Sequence, residues 1–333
     1  MSEQKSPTAS EARKSSAMGF FRRLLRGRET GIAVVVLVIM VGLSLATPYF
    51  LTASNLAIVA RQIALSIIIA LGMTMVIILG GIDLSVGSTV AFGSVITGYT
   101  MITLGLPIWL SMLAAVAVGA LIGSINGMLI VKTRVPPFII TLGMMGLARG
   151  AALVITKGST ISGLPESFLF LGQGYVLKYV PVPVIIAAVL AILVHIFLSR
   201  TTLGRRIYFT GSNEEAALLS GINVNRIKIM VFTLAGMLAA IESVIETSRM
   251  STAQPASGAG YELTAIGAVI IGGASLLGGE GTVLGTILGA TLLGLITNGL
   301  ILLGVSAYWQ QVFSGTIIIL AVALDTWRRR NNK

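Results

Sequence analysis

The sequence contains no cysteine. That excludes a disulfide framework, a thiolate metal site and a cysteine nucleophile. Histidine is nearly as scarce, His195 being the only one, so histidine-based acid–base chemistry has almost no material. Charge is sparse as well: 11% of the 333 residues are charged, where a soluble domain carries roughly 25%. No G-x-x-x-x-G-K-[ST] segment occurs, so the chain has no P-loop of its own. H-E-x-x-H and a dinucleotide fingerprint opening a strand–helix unit are also missing. These absences point away from an enzyme and toward a chain whose solvent is lipid.

What is present fits that reading. Hydrophobic residues make up 55% of the chain, and the mean hydropathy is +0.94. Apolar runs fill the sequence from Gly31 to Asp325, and one bilayer crossing takes about 20 apolar residues. The pattern predicts an all-α polytopic membrane protein of about ten transmembrane helices: 31–50, 62–79, 86–104, 108–131, 138–156, 182–199, 229–250, 263–277, 282–303 and 309–324. Ser44-Leu45-Ala46 resembles a signal-peptide cleavage site, but the run around it is long enough to be a retained span. The net charge of +11 follows membrane orientation rather than a nucleic-acid footprint. With the N-terminus inside, eighteen Lys and Arg fall on the cytoplasmic side and four outside, with Arg149 left within a span. The excess obeys the positive-inside rule and predicts both termini in the cytoplasm.

The expected organisation is a disordered basic cytoplasmic tail at 1–29, a transmembrane domain at 30–327 and a basic cytoplasmic C-terminus at 328–333. Phe20 to Arg26 reads as a short amphipathic stretch on the lipid surface. Within the transmembrane domain fall a large cytoplasmic loop, 200–228, and a periplasmic loop, 157–181. Gly119, Gly123 and Gly127, and again Gly281, Gly285 and Gly289, follow the G-x-x-x-G-x-x-x-G spacing that lets helix backbones approach closely; helix packing is the preferred reading. Val76-Ile77-Ile78-Leu79-Gly80-Gly81 is echoed by Val269-Ile270-Ile271-Gly272-Gly273, a hint of duplicated halves.

Several polar stretches carry candidate chemistry. In the 200–228 loop, Ser212 and Glu215 fit a capping box, with Ser212 as N-cap, and Gly221 sits where a left-handed C-terminal residue is needed. One helix of about two turns is expected, too short to be stable alone. It is either a structural turn or a helix that fits a partner's groove. In Gly80 to Ser88, Asp83 lies at a Gly-rich break at membrane level, where an acidic residue is costly; it caps the next span or contacts substrate. Glu242, Glu246 and Arg249 share one helix face, and Glu246 and Arg249 are placed to pair. They form a local ion pair or a wall of an outward-facing vestibule. The Gln254 to Leu263 segment is read as an outer-side connection, with Glu262 at a helix start. Asn126 and Asn298 lie inside apolar spans, where each bridges helices or faces a polar pathway. Trp109, Tyr179, Tyr308, Trp309 and Trp327 fall near span ends, as an aromatic belt requires.

These residues carry a resemblance. GGIDLSVGS at 80–88, PPFIITLGMMGLARG at 136–150, ISGLPESF at 161–168, LGRRIYFTGSNEEAALLSGINV at 203–224, AQPASGAGYELTAIGAVIIGGASLLGGEGTVLGTILGA at 253–290 and SAYWQ at 306–310 resemble the membrane permeases of bacterial ribose-type ABC importers. The match covers most of the chain after residue 50. The chain departs from the family at Thr264, where Asp is more usual, and at Glu280, where a basic or small residue is.

The resemblance implies a multi-pass permease subunit of the bacterial inner membrane, importing a ribose-like pentose or related monosaccharide. It implies a second permease copy, as a homodimer, a cytoplasmic ATPase subunit that binds ATP and Mg, and a periplasmic sugar-binding protein that delivers substrate. The chain itself carries no cofactor, no metal and no catalytic residue. Arg205, Arg206, Ser212, Asn213, Glu214, Glu215, Ala216, Ala217, Leu218, Ser220 and Gly221 become the ATPase-coupling loop. Ser162, Gly163, Leu164, Pro165 and Glu166 become the binding-protein docking surface. Asp83, Ser85, Asn126, Glu246, Arg249, Tyr261, Glu262 and Asn298 are the candidates for the pathway or its gates. Competing readings are an ion-coupled secondary transporter using Asp83, Glu242, Glu246 or Asp325, a channel or membrane scaffold, and an ABC permease for nucleosides or branched-chain amino acids.

Overall fold

A computed structural model describes residues 28–306, 308–310, 312, 313, 315, 316, 319 and 323. Nearly all of the expected N-terminal tail, much of the tenth predicted span and the basic residues 328–333 lie outside the described residues. The helices are α1 Arg28–Ala46, α2 Ala53–Ile78, α3 Val86–Gly98 with a π-turn at Tyr99–Thr103, α4 Ile108–Thr133, α5 Pro137–Thr156, α6 Glu166–Gln173, α7 Val182–Arg200, α8 Thr202–Ser212, α9 Glu214–Leu219, α10 Val224–Met250, α11 Tyr261–Ile271 and α12 Val283–Leu302. Between α6 and α7 lies a small antiparallel hairpin of β1 Tyr175–Val176 and β2 Val180–Pro181.

Among the described residues, seven helices (α1, α2, α4, α5, α7, α10 and α12) are long and apolar enough to cross a membrane. The chain is an all-α polytopic membrane protein. The first nine predicted spans each correspond to a helix, α1 to α5, α7 and α10 to α12, but one of these helices falls short of a crossing. α3 has 13 residues and is continued by the 5 of its π-turn, whereas α11 has 11 residues, roughly 16 Å of rise against an apolar layer of about 30 Å.

Helix α10 is the axis of the bundle, packed by α2, α3, α4 and α6. Glycine makes the tightest of these contacts possible. A methyl group on Gly119, Gly123 or Gly127 of α4 would meet α10 at Gly236, Phe232 and Ile229. Gly285 and Gly289 of α12 face the backbone of Gly272 and Ala268 in the same way. Gly281, the third member of that predicted series, lies before α12 and not on its packing face. The packing reading therefore holds for Gly119, Gly123, Gly127, Gly285 and Gly289, as small residues at helix–helix interfaces require.

The echo between Val76–Gly81 and Val269–Gly273 is a repeated turn. At the end of α2, Gly80 (φ 84°) donates its N–H to the Ile77 carbonyl and Gly81 donates to Val76, each at 2.9 Å. At the end of α11, Gly273 (φ 93°) donates to Ile270 at 2.8 Å and Ala274 to Val269 at 3.1 Å. Both are the same paired C-terminal cap, which needs a left-handed residue best supplied by glycine. Two helix–break–helix units result, α2–α3 and α11–α12. Thr74 and Thr286 join them through a 2.7 Å hydroxyl contact.

The segment before α11 joins α10 to α11 by an indirect course. Ala253 pairs with Ile161 and packs at Gly98, and Gly258 packs at Gly87. The segment thus runs back along α3 for about 16 Å, eleven residues of helix rise, before α11 begins. Gly258 (φ 69°) and Gly260 (φ 82°) permit the turn. Ala253, Pro255 and Gly258 are buried against the bundle, while Ala256 and Ala259 are exposed.

Candidate functional site

At one end of the bundle, α8 and α9 form the 200–228 loop. The sequence pattern shows one helix there; the structure has two. The capping expectation is corrected: Asn213, not Ser212, is the N-cap of α9. Ser212 is still the last residue of α8, while Asn213 is extended (φ −158°) and its Oδ1 accepts the Ala216 N–H at 2.9 Å. Gly221 (φ 76°) follows α9 in the left-handed conformation, as expected. Ala217 is buried, and Ile222 N–H closes on its carbonyl at 3.0 Å. Leu218 and Leu219 are exposed, Leu219 by 91%. Glu214 pairs with Lys228 at 2.7 Å. Arg205, Arg206, Glu214 and Glu215 are exposed.

This loop is wedged against both Gly-rich breaks. A methyl group on Gly211 would meet the Ile78 carbonyl. The same carbonyl accepts the Gly279 N–H at 2.8 Å. Tyr208 donates its hydroxyl to the Gly281 carbonyl at 2.7 Å, and burial pushes that phenol above its ordinary pKa. An open hollow of about 560 Å³ lies between α7, α8 and Gly279.

Three pathway candidates meet just past the first break. Asp83 Oδ1 accepts the Ser85 N–H at 2.8 Å and the Ser85 hydroxyl at 2.6 Å. Asn126 donates its side-chain amide to Ser85 Oγ at 2.9 Å. All three are at most 1% exposed. Thr141 of α5 holds the neighbouring backbone, accepting from Leu84 N–H at 3.1 Å and donating to the Ile82 carbonyl at 3.2 Å. Asp83 thus holds Ser85, the residue from which α3 begins, by accepting from both its backbone and its side chain.

A second cluster lies on α10. Arg249 grips Glu246 through Nε at 3.0 Å and Nη2 at 3.1 Å, and the Tyr261 hydroxyl stands 3.4 Å from Glu246 Oε1. Glu242, one turn earlier, is fully buried with neither carboxylate oxygen hydrogen-bonded among the described residues. Arg249 and Tyr261 line a cavity of about 670 Å³ between α2, α11 and α12. Glu262 stands beside Gly87 in the first turn of α11. Asn298 lines no part of this cavity. It exchanges two amide hydrogen bonds with Asn55 of α2, at 2.9 and 3.2 Å, and so bridges helices.

Arg149, which sequence reasoning left unassigned within a span, is a principal positioning group. Its Nη1 donates to the carbonyls of Pro255 at 2.8 Å and Ser257 at 2.5 Å, and Glu262 lies close enough to feel its charge. It pins the re-entrant segment to α5. A lone arginine inside an apolar span was the available signal, since such residues face the bundle interior and carry partners.

The 157–181 segment is folded rather than a loose loop. Ser162, Gly163, Pro165 and Glu166 are exposed and Leu164 is buried. α6 follows, tied to α10 through Ser248 Oγ, which accepts the Gly172 N–H and donates to the Phe168 carbonyl, each at 2.7 Å. Arg61 donates to the Gln173 carbonyl at 2.6 Å and stacks 4.5 Å over the Tyr175 ring. Among the described residues no cluster of three or more His, Cys, Asp or Glu is placed to hold a metal.

Paired broken helices, a re-entrant segment, buried intramembrane polar clusters and a cavity between helices define a polytopic membrane transport component. The chain belongs to the family described as the branched-chain amino acid transport system/permease component, whose profile matches residues 55–322. It is 44% identical to the ribose import permease protein of Escherichia coli K12 over 310 residues, 92% of this chain and 95% of that one. It is 45% identical to the ribose import permease protein of Bacillus subtilis 168 over 296 residues, 88% and 91% of the two chains. It is 37% identical to a D-allose transport system permease protein of E. coli K12 over 292 residues, 88% and 89%. No solved structure matches the chain.

Proposed function

We propose that this protein is the membrane-spanning subunit of an ATP-driven monosaccharide importer of the bacterial inner membrane, with ribose or a closely related sugar as cargo. The observation that carries the proposal is near-full-length identity above 40% to ribose import permeases from two bacteria. ATP and Mg belong to a partner ATPase, in keeping with the missing P-loop. A binding protein outside the membrane supplies the sugar.

In this reading the α8–α9 end faces the cytoplasm, both termini lie there, and two permease copies form the unit. Exposed Leu218 and Leu219 on α9, with the adjoining hollow, are the surface offered to the ATPase. Because Gly211 touches the carbonyl that also holds Gly279, movement of α8 reaches both breaks directly. The exposed rim at Ser162–Glu166 (with Leu164 beneath it) receives the binding protein. The Glu246–Arg249–Tyr261 cluster and Glu262 stand at the substrate path. The test is uptake of labelled ribose by cells expressing the chain with and without its ATPase and binding protein. Uptake that needs all three supports the proposal; uptake by the chain alone, abolished by an uncoupler, refutes it.

A further inference from the structure

The cavity between α2, α11 and α12 has a lining that sequence reasoning did not assemble. Gln62 and Ser66 of α2 and Thr297 of α12 face Thr264 and Tyr261 of α11 across about 670 Å³, a volume typical of small-molecule sites. Gln62 and Ser66 make no side-chain hydrogen bond among the described residues. In an apolar span, polar groups without partners are costly unless they line a polar cavity or path. Thr264 and Thr297 donate to the Gly260 and Leu293 carbonyls of their own helices, at 3.2 and 2.9 Å, and keep oxygen lone pairs free to accept.

The charge balance narrows the ligand. Among the described residues lining the cavity there is no carboxylate, and the one cation, Arg249, is held twice by Glu246. Leu65, Ile69, Ala265 and Leu293 supply apolar wall between the polar groups. Amide and hydroxyl donors and acceptors set in an apolar wall, with the local charge already paired, suit a neutral polyhydroxylated molecule. Such a molecule has hydroxyl edges and C–H faces; an amino acid zwitterion would ask for two free charges. We infer that this cavity is the chamber in which the sugar rests during transit, with Gln62, Ser66, Thr264 and Thr297 as its hydrogen-bonding groups. This rests on the sugar-import reading above and deepens it.

The absence of cysteine makes the test clean. Ser66→Cys, Thr264→Cys and Thr297→Cys are each placed singly in the assembled importer, with Val189→Cys on the exposed face of α7 as control. Each is treated with a small water-borne methanethiosulfonate. The expected result is labelling at all three chamber positions, loss of ribose uptake on labelling, and labelling slowed severalfold by D-ribose with its binding protein under ATP turnover. L-leucine should not slow it, and Val189→Cys should show no ribose-dependent protection. Absence of labelling, or labelling that ribose does not slow, overturns the chamber; protection by leucine instead overturns the neutral-ligand assignment. ATP-dependent ribose uptake by the parent chain, which has no cysteine, is measured alongside. If it is present while labelling of the variants fails, only the chamber is wrong. If a serine or threonine variant does not assemble, Gln62→Cys on the same wall decides the question.

Discussion

The amide of Gly279 donates a hydrogen bond to the carbonyl of Ile78 at 2.8 Å, and so joins the breaks of two helix–break–helix units at one point. Gly211 of α8 sits on the same carbonyl with no room for a side chain. The surface loop and both intramembrane breaks therefore share one junction, and a shift of α8 cannot leave the breaks unchanged.

Gly211→Val tests that junction. A side chain here must displace the Ile78–Gly279 contact, and overpacking of this kind costs about 1–3 kcal/mol. The importer should still assemble in the membrane, but ribose uptake and ATPase stimulation by the loaded binding protein should fall together. Unchanged stimulation in the assembled variant would remove the junction from the coupling path. Gly221→Leu, at a left-handed residue in open space, should loosen the turn after α9 with a milder effect on uptake.

The glycine faces predict a contrast in stability. Gly123→Ala forces a methyl group into the Phe232 backbone and should lower the thermal midpoint of the detergent-purified protein, again by about 1–3 kcal/mol of stability. Gly146→Ala on α5 meets nothing within 4 Å. It should be neutral or slightly stabilising, as replacing a helix-interior glycine gains up to about 1 kcal/mol.

Asp83 separates capping from substrate contact. Asp83→Asn keeps an oxygen to accept the Ser85 N–H and hydroxyl and should retain uptake within a few-fold. Asp83→Ala removes the acceptor and should lower stability by about 1 kcal/mol or more. A variant Asp83→Asn that folds normally but transports nothing would favour direct action on the substrate.

Arg149→Met leaves the Pro255 and Ser257 carbonyls without their donor. Hydrogen bonds to a charged group contribute about 1.5–3 kcal/mol, so amide exchange in residues 251–260 should quicken selectively while exchange in α4 stays unchanged. Uniform protection across the two segments would contradict the clamp.

The exposed Glu214–Lys228 pair should matter little. Glu214 is half-exposed, and such pairs contribute about 0–1 kcal/mol. Glu214→Ala should leave the thermal midpoint near that of the wild type.

Much of the fold is legible in the sequence because hydropathy records what lipid demands. The nine predicted spans that fall within the described residues each contain a helix, and the Gly-rich breaks at 79–85 and 272–282 lie where Gly80 and Gly273 interrupt the apolar runs. Glu246 with Arg249 is read correctly from helical spacing. The re-entrant course of 251–260 is not legible, since it depends on Gly87 and Gly98 of a distant helix leaving space for it. Helix α6 is short and needs Ser248 to hold it. Asn213 displaces Ser212 as N-cap only because α8 extends up to it, and the chamber collects polar residues from three separate helices that no local window brings together.

In the proposed function the chain moves sugar only as part of an ATP-driven assembly. The most direct measurement is ribose uptake into proteoliposomes holding the purified permease with its ATPase, with binding protein outside, ATP sealed within and no ion gradient. Ribose should accumulate, and accumulation should stop when ATP or the ATPase is omitted. Accumulation that requires a proton or sodium gradient and ignores ATP would contradict it.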